Sequence, residues 1–329
     1  MSDVAREAGL SLATVDRVLN GRGGVTPDKE RRVMAVARRL RLDRALRLRP
    51  TRTLRIAVLI QPPTNPFHAA LRAGFDLAAK LHVDLGLQLH VCHIDQNDPA
   101  GIAAAIRMEA ERCDALIVSL PAAPRVAQAL TEARVPVVTL ATDIAESGRA
   151  AYVGPDDHRA GRVAGDLMGR FLGADGGEVV MLAGRLDIAG QRAREAGFRE
   201  VLAERYRRTR LTDVLESGED GDRAGRLAHR VLRSQPGVRG IYLASAGAGP
   251  VVAALRRLGR AESTILITHE MTPDRRALLR ARAIDAVIDQ NPELEARLAV
   301  EAVARLLGRL EGEATDIPTE IAIHTCETA

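Results

Sequence analysis

Two hydrophobic periodicities divide the chain. Over residues 3–42 the apolar positions recur at helical spacing in three short stretches. Val4, Ala5 and Ala8 form the inner face of the first, and Gly9 stops it as a C′ residue would. Ser11 is the N-cap of a second stretch, Leu12 to Leu19, whose inner face is Val15, Val18 and Leu19. The run Asn20-Gly21-Arg22-Gly23-Gly24 breaks it. Thr26-Pro27-Asp28 then starts a third, with Val33, Val36, Ala37 and Leu40 as its stripe. Two helices joined by a tight glycine turn and braced by a third predict a helix-turn-helix.

From Leu54 onward, short apolar runs alternate with amphipathic helical stretches. The runs are LRIAVLI, LQLHVCHI, DALIVSL, VPVVTLA, EVVMLA, RGIYLA, TILIT and AIDAVI. Fully apolar strands between helices predict a parallel sheet covered on both faces and built from βαβ units. Roughly 275 residues exceed one ordinary core, so two α/β lobes are expected.

Charge changes the picture at the front of the chain. The net charge is +4, yet residues 1–55 hold fourteen Arg or Lys against six Asp or Glu. That segment carries +8 and the remainder −4. Eleven basic residues between Lys29 and Arg55 face only two acidic ones, a density that attracts phosphate backbones.

Composition mainly excludes. With 46% hydrophobic and 27% charged residues the chain is neither disordered nor fibrous. It has no apolar run long enough for a membrane span, and MSDVAREAGL lacks the segments of a signal peptide, so a cytoplasmic protein is expected, with no membrane partner. Cys92, Cys113 and Cys326 are too widely spaced for a CxxC site, and the seven aromatic residues, none of them Trp, argue against stacking platforms for single strands. His90, Cys92 and His93 have metal-ligand chemistry, but His93 points to the opposite strand face, and core packing is the preferred reading. Ala246-Gly247-Ala248-Gly249-Pro250, with Glu270 some twenty residues on, imitates part of a dinucleotide fingerprint, although Val252 stands at its third glycine position. Neither a cofactor nor a metal is expected.

The stretch DVAREAGLSLATVDRVLNGRGGVTPDKERRVMAVARRL resembles, nearly position by position, the DNA-binding headpiece of the lactose-repressor (LacI) family of bacterial transcription regulators. The remainder resembles that family's ligand-binding part. The resemblance implies a helix-turn-helix headpiece and hinge over 1–52 and a two-lobed periplasmic-binding-protein-like α/β domain over 53–329. Its N-lobe would take about 53–157 and 291–317, and its C-lobe about 158–290 and 318–329. Crossings would fall near Val153 to Asp157, Asp289 to Asn291 and Ile317 to Thr319.

The second helix would enter the major groove, with Leu12 and Ala13 against base edges and Arg17 as the hydrogen-bonding reader of a guanine. Ser11, Thr14, Asn20 and Thr26 suit phosphate oxygens. Asp16 stands where many relatives have Ser, and pairs with Arg17 or a basic residue of the third helix, or faces away. The Thr that usually caps the first helix is missing, so that either Ser2 caps a shortened helix or the start lies upstream. The linker lacks the Pro-Asn-like pair of the family's hinge helix, which leaves Leu46, Leu48 or neither as a minor-groove wedge.

Ligands of open α/β sheets sit outside the carboxyl ends of strands. That rule puts Asn65, Phe67 and His68 after the first strand, Asp143 after VPVVTLA, Glu270 after TILIT and Gln290 after AIDAVI, with Arg192 early in the helix of GQRAREAGFRE. Resemblance to sugar-binding relatives marks the same positions. Ser245 replaces an expected Asn and Ala246 an expected Asp. Two carboxylates against one arginine favour a neutral sugar or polyol over an anion. The expected function is a ligand-responsive regulator, a repressor, working as a homodimer or tetramer on a pseudo-palindromic double-stranded DNA operator, with no enzymatic step. The alternatives are a nucleotide-dependent enzyme on a doubly wound fold and a solute-binding protein.

Overall fold

A computed structural model of the chain describes residues 1–20, 22–40 and 52–329. Leu46 and Leu48, proposed as hinge wedges, lie outside the described residues.

The headpiece consists of α1 (Ser2–Ala8), α2 (Leu12–Leu19) and α3 (Pro27–Arg39). Gly9 ends α1 in the left-handed region at φ 63°, and the Ser11 hydroxyl caps α2 by accepting from Thr14 N–H at 3.2 Å. Val4, Ala8, Val15, Val18, Leu19, Val33, Val36 and Ala37 close over one another as its core. Ser2 lies inside α1, whose N-cap is Met1 without a side-chain cap, so the expected Ser2 cap is not made.

The remainder forms two six-stranded sheets. The first lobe contributes β1 (Leu54–Ile60), α4 (Pro66–Leu81), β2 (Leu87–His93), α5 (Pro99–Arg112), β3 (Ala115–Val118), α6 (Pro124–Glu132), β4 (Val137–Leu140) and β5 (Ala151–Gly154). The second contributes α7 (Asp157–Leu172), β6 (Gly177–Ala183), α8 (Ala189–Arg205), β7 (Thr209–Glu216), α9 (Gly221–Ser234), β8 (Val238–Leu243), α10 (Ala248–Arg257), β9 (Ile265–His269), α11 (Pro273–Arg280) and β10 (Ala286–Asp289). The chain then returns through α12 (Pro292–Leu306) and β11 (Ile317–Pro318) to the first lobe, and ends with β12 (Ala322–His324) in the second. Strand orders are β11-β5-β4-β3-β1-β2 and β12-β10-β9-β8-β6-β7, parallel except for β12 against β10.

Strand β1 illustrates why such strands read as unbroken apolar runs. Ile56, Val58 and Ile60 pack on α4 and α12, whereas Ala57 and Leu59 pack on α5 and α6. Both faces are covered, so each large side chain contributes about 1.5–3 kcal/mol of burial. In the second lobe Val180 and Leu182 of β6 face α9 and α10, while Val179 and Met181 face α7 and α8.

Three crossings join the lobes and are stitched together. Thr319 N–H donates to Gly154 O at 2.9 Å, and Thr319 Oγ1 donates to the fully buried Glu295 of α12 at 3.1 Å. No described helix is long and apolar enough to cross a membrane.

Close helix packing sets the cleft wall. A Cβ added to Gly161 on α7 would lie 2.0 Å from the carbonyl oxygen of Arg194 on α8. Only glycine lets the two backbones meet there, and that contact fixes the start of α8 against the lobe junction. Gly247 serves α10 similarly: its φ is 110°, and a Cβ would lie 2.8 Å from Gly221 O at the start of α9. The glycine run after β8 therefore has a packing reason unconnected with a dinucleotide.

Candidate functional site

Two surfaces carry chemistry. On the headpiece, Leu12, Ala13 and Arg17 of α2 are exposed together, Leu12 at 55%, a large apolar side chain left in water with no core to join. The Arg17 side chain makes no hydrogen bond or ion pair among the described residues, so its guanidinium is available. Ser11 and Thr14 share a hydrogen bond at 2.9 Å, and Thr26 is exposed. Asn20 is differently placed from the expectation. Its amide donates to Asp16 O at 3.0 Å and to Asp16 Oδ1 at 2.6 Å, so both hydrogens are spent on closing α2 and none is left for a phosphate. Asp16 pairs with Arg22 at 2.9 Å rather than with Arg17 or α3, and Arg22 N–H donates to Arg17 O at 2.9 Å at the same helix end.

The second surface is a cavity of about 80 Å³ between the lobes. From the first lobe it is lined by Gln61, Asn65, Phe67, His68, Ser119 and Thr142. The second lobe supplies Asp157, Gln191, Arg194, Glu219, Ser245, Glu270 and Gln290. Six expected ligand residues thus line one cavity: Asn65, Phe67, His68, Ser245, Glu270 and Gln290.

Asp143 and Arg192 do not. After β4 the backbone turns through Ala141, at φ 59°, which sends Ala141 and Thr142 into the cavity and Asp143 away from it. Asp143 accepts from Arg149 Nε at 2.6 Å and Nη2 at 2.8 Å, and Arg149 also holds Asp316 beside the third crossing. It braces the lobe junction. Arg192 is exposed and donates to Leu186 O at 2.7 Å. One helical residue turns a side chain by about 100°, so Gln191 and Arg194, three apart, share the inner face that Arg192 leaves.

Arg194 is the centre of the site. Its Nε donates to Asp157 at 2.7 Å, its Nη2 donates to Gln290 at 3.0 Å, and Nη1 stands 3.7 Å from Glu270. Burial works against its charge, but Asp157 and Glu270 outweigh it and hold the guanidinium's pKa above its ordinary value. Glu270 is also 3.7 Å from Arg275, and burial raises its pKa against the pull of both arginines. Glu219 accepts from Ser245 at 2.9 Å and from Gln191 at 3.2 Å, and burial likewise raises its pKa. Backbone strain gathers here too: Ala141, Glu219, Glu270 and Asn291 all have φ between 55° and 64° without being glycine.

His68 is 4% exposed and its Nδ1 has no hydrogen-bond partner among the described residues. Burial, then the neighbouring His93, lower its pKa to about 3, so it is a neutral imidazole facing the cavity. The lobes touch across the opening through Asn65 Nδ2 to Glu219 at 3.4 Å and Arg185 to Asn97 Oδ1 at 3.0 Å. This is a closed cleft.

A two-lobed α/β fold with a polar cavity at its junction and a helix-turn-helix before it defines a ligand-binding protein equipped with a DNA-binding headpiece. The chain belongs to the periplasmic binding protein domain family over residues 56–313 and carries a headpiece of the bacterial regulatory proteins, lacI family, over residues 1–41. It is 28% identical over 277 residues to the ribose import binding protein of Haemophilus influenzae, covering 82% of this chain and 90% of that one. Catabolite control protein A of Streptococcus mutans is 27% identical over 248 residues, 74% of this chain and 71% of that one. An ABC transporter solute binding protein from Burkholderia graminis, solved in complex with D-arabinose, shares the fold with a TM-score of 0.79 at 22% identity, covering 85% of this chain and 98% of its own.

Proposed function

We propose that the chain is a sugar-responsive transcription regulator, a repressor that binds a pseudo-palindromic operator as a homodimer or higher oligomer and carries a neutral monosaccharide between its lobes. The observation that carries this reading is the pairing of an unoccupied Arg17 on an exposed α2 face with a cavity whose one buried arginine is already balanced by Asp157 and Glu270. An anionic ligand would meet these acids in a partly desolvated space, whereas hydroxyl pairs suit carboxylates and guanidinium together. The sugars named with its relatives, ribose, D-arabinose and D-allose among them, support a neutral monosaccharide. Phe67 offers the one aromatic face to a sugar ring. Catalysis has no part in this reading. A solute-binding protein is the second reading, favoured by the length of the match to the ribose import protein and opposed by the lacI-family headpiece.

A thermal-shift panel tests the ligand. At a hundredfold excess over its dissociation constant, a neutral monosaccharide is expected to add about 2.7 kcal/mol of stability. A response to sugar phosphates or organic acids alone overturns the charge argument. For the headpiece, Arg17→Ala is expected to cost about 1–3 kcal/mol on a selected operator and to relax preference at one base pair per half-site. Uniform weakening on all sequences would make Arg17 a phosphate anchor instead.

A further inference from the structure

Alternation along β2 leaves His90 and Cys92 on the same strand face, and the fold decides what that face meets. It meets α5, which turns Ile102, Ile106 and Glu109 inward. His90 is exposed there instead of packing in the core, Cys92 is half-buried and Glu109 is 6% exposed. We propose that this groove on the outer face of the first lobe is a transition-metal site of the zinc class, ligated by His90, Cys92 and Glu109.

The ligand atoms of His90, Cys92 and Glu109 all lie within 4.8 Å of one another. In a tetrahedral site with bonds of 2.0–2.3 Å the donors stand about 3.3–3.8 Å apart, so closing on an ion needs shifts of about 1 Å, within reach of side-chain rotation. Cys113, at the end of α5, places its Sγ 3.7 Å from Glu109 Oε2. That thiol is the carboxylate's hydrogen-bond partner among the described residues. A carboxylate this deeply buried ordinarily has a cation beside it, and a bound dication supplies one. Sulfur, imidazole and carboxylate together suit zinc, or cobalt in its place, and not magnesium or calcium. The exposed imidazole gives the ion a way in from solvent. Asp114, next to Cys113, accepts from Arg52 at 2.6 Å and from Arg55 N–H at 2.8 Å. The site therefore adjoins the point where the chain enters this lobe from the headpiece side.

The test is titration of the full, tag-free chain with Co²⁺, read by thiolate-to-cobalt charge-transfer absorption. One Co²⁺ per chain is expected, displaced stoichiometrically by Zn²⁺. Cys92→Ser should abolish the band, His90→Ala and Glu109→Gln should each weaken binding at least tenfold, and Cys326→Ser should change nothing. Should Glu109→Gln fail to fold, the exposed His90 decides. Absence of a thiolate band, its survival in Cys92→Ser, its loss in Cys326→Ser, or unchanged affinity in His90→Ala overturns the proposal.

Discussion

The two walls of the cleft are built from different chemistry. The second lobe presents Arg194 matched to Asp157 and Glu270 through 2.7–3.7 Å contacts, with Glu219 held by the neutral Ser245 and Gln191. The first lobe presents Gln61, Asn65, Phe67, Ser119 and a neutral His68, with no charged group at pH 7. A prebuilt charged network holds ligand hydroxyls with little reorganisation, whereas a neutral wall can leave and return without stripping water from ions. Under the proposed function this difference implies a division of labour, in which the second lobe selects the ligand and the first closes over it.

The largest expected effect comes from removing the centre of the charged wall. Arg194→Met leaves Asp157 without its cation and Glu270 with only Arg275 at 3.7 Å. Breaking a buried pair in this way costs about 3–5 kcal/mol, read as a lower urea midpoint, and ligand binding measured calorimetrically should vanish. Retained sugar affinity would show that the charged wall does not select.

The neutral wall should reveal itself through pH. With a pKa near 3 when folded against an ordinary 6.5, His68 takes up its proton only on unfolding. Its contribution is intact above pH 6.5 and is lost as the pH falls toward 3. Between pH 7 and 5 the chain should lose about 2 kcal/mol more stability than His68→Gln, compared by urea unfolding. Equal losses would mean that His68 is solvated and that the wall is open to water.

How far the sequence reveals this depends on where each residue's neighbours lie. The headpiece and the two-faced strands are legible because capping and alternation are local. Strand β7, TRLTDVLE, is not, since it lies at the sheet edge and alternates exposed Arg210 and Thr212 with half-buried Leu211 and Asp213. Glu219, in the loop after it, is missed for the same reason. Arg194 was within reach. It stands three and four residues before Gly197 and Phe198 and seven and eight before Val201 and Leu202, in register with the buried stripe of α8. The turn at Ala141 has no such signal, because a non-glycine residue holds a left-handed conformation there through tertiary contacts.

The smallest effect on ligand binding is expected at the two residues that the strand-end rule selects and the fold turns away. Arg192→Ala removes an exposed bond to Leu186 O and should leave both binding free energy and folding stability within about 0.5 kcal/mol of the parent chain. Asp143→Ala is the sharper variant, since it separates stability from recognition. It strips Arg149 of a bidentate partner while Asp316 still holds the guanidinium, so a stability loss of about 1–3 kcal/mol is expected with sugar affinity nearly unchanged. The same calorimetric titration that reads Arg194→Met checks it. A loss of affinity in Asp143→Ala as large as that in Arg194→Met would mean that the carboxylate swings into the cavity when a sugar enters. The neutral wall would then acquire a charge on binding, and the contrast between the two walls would belong to the ligand-free cleft alone.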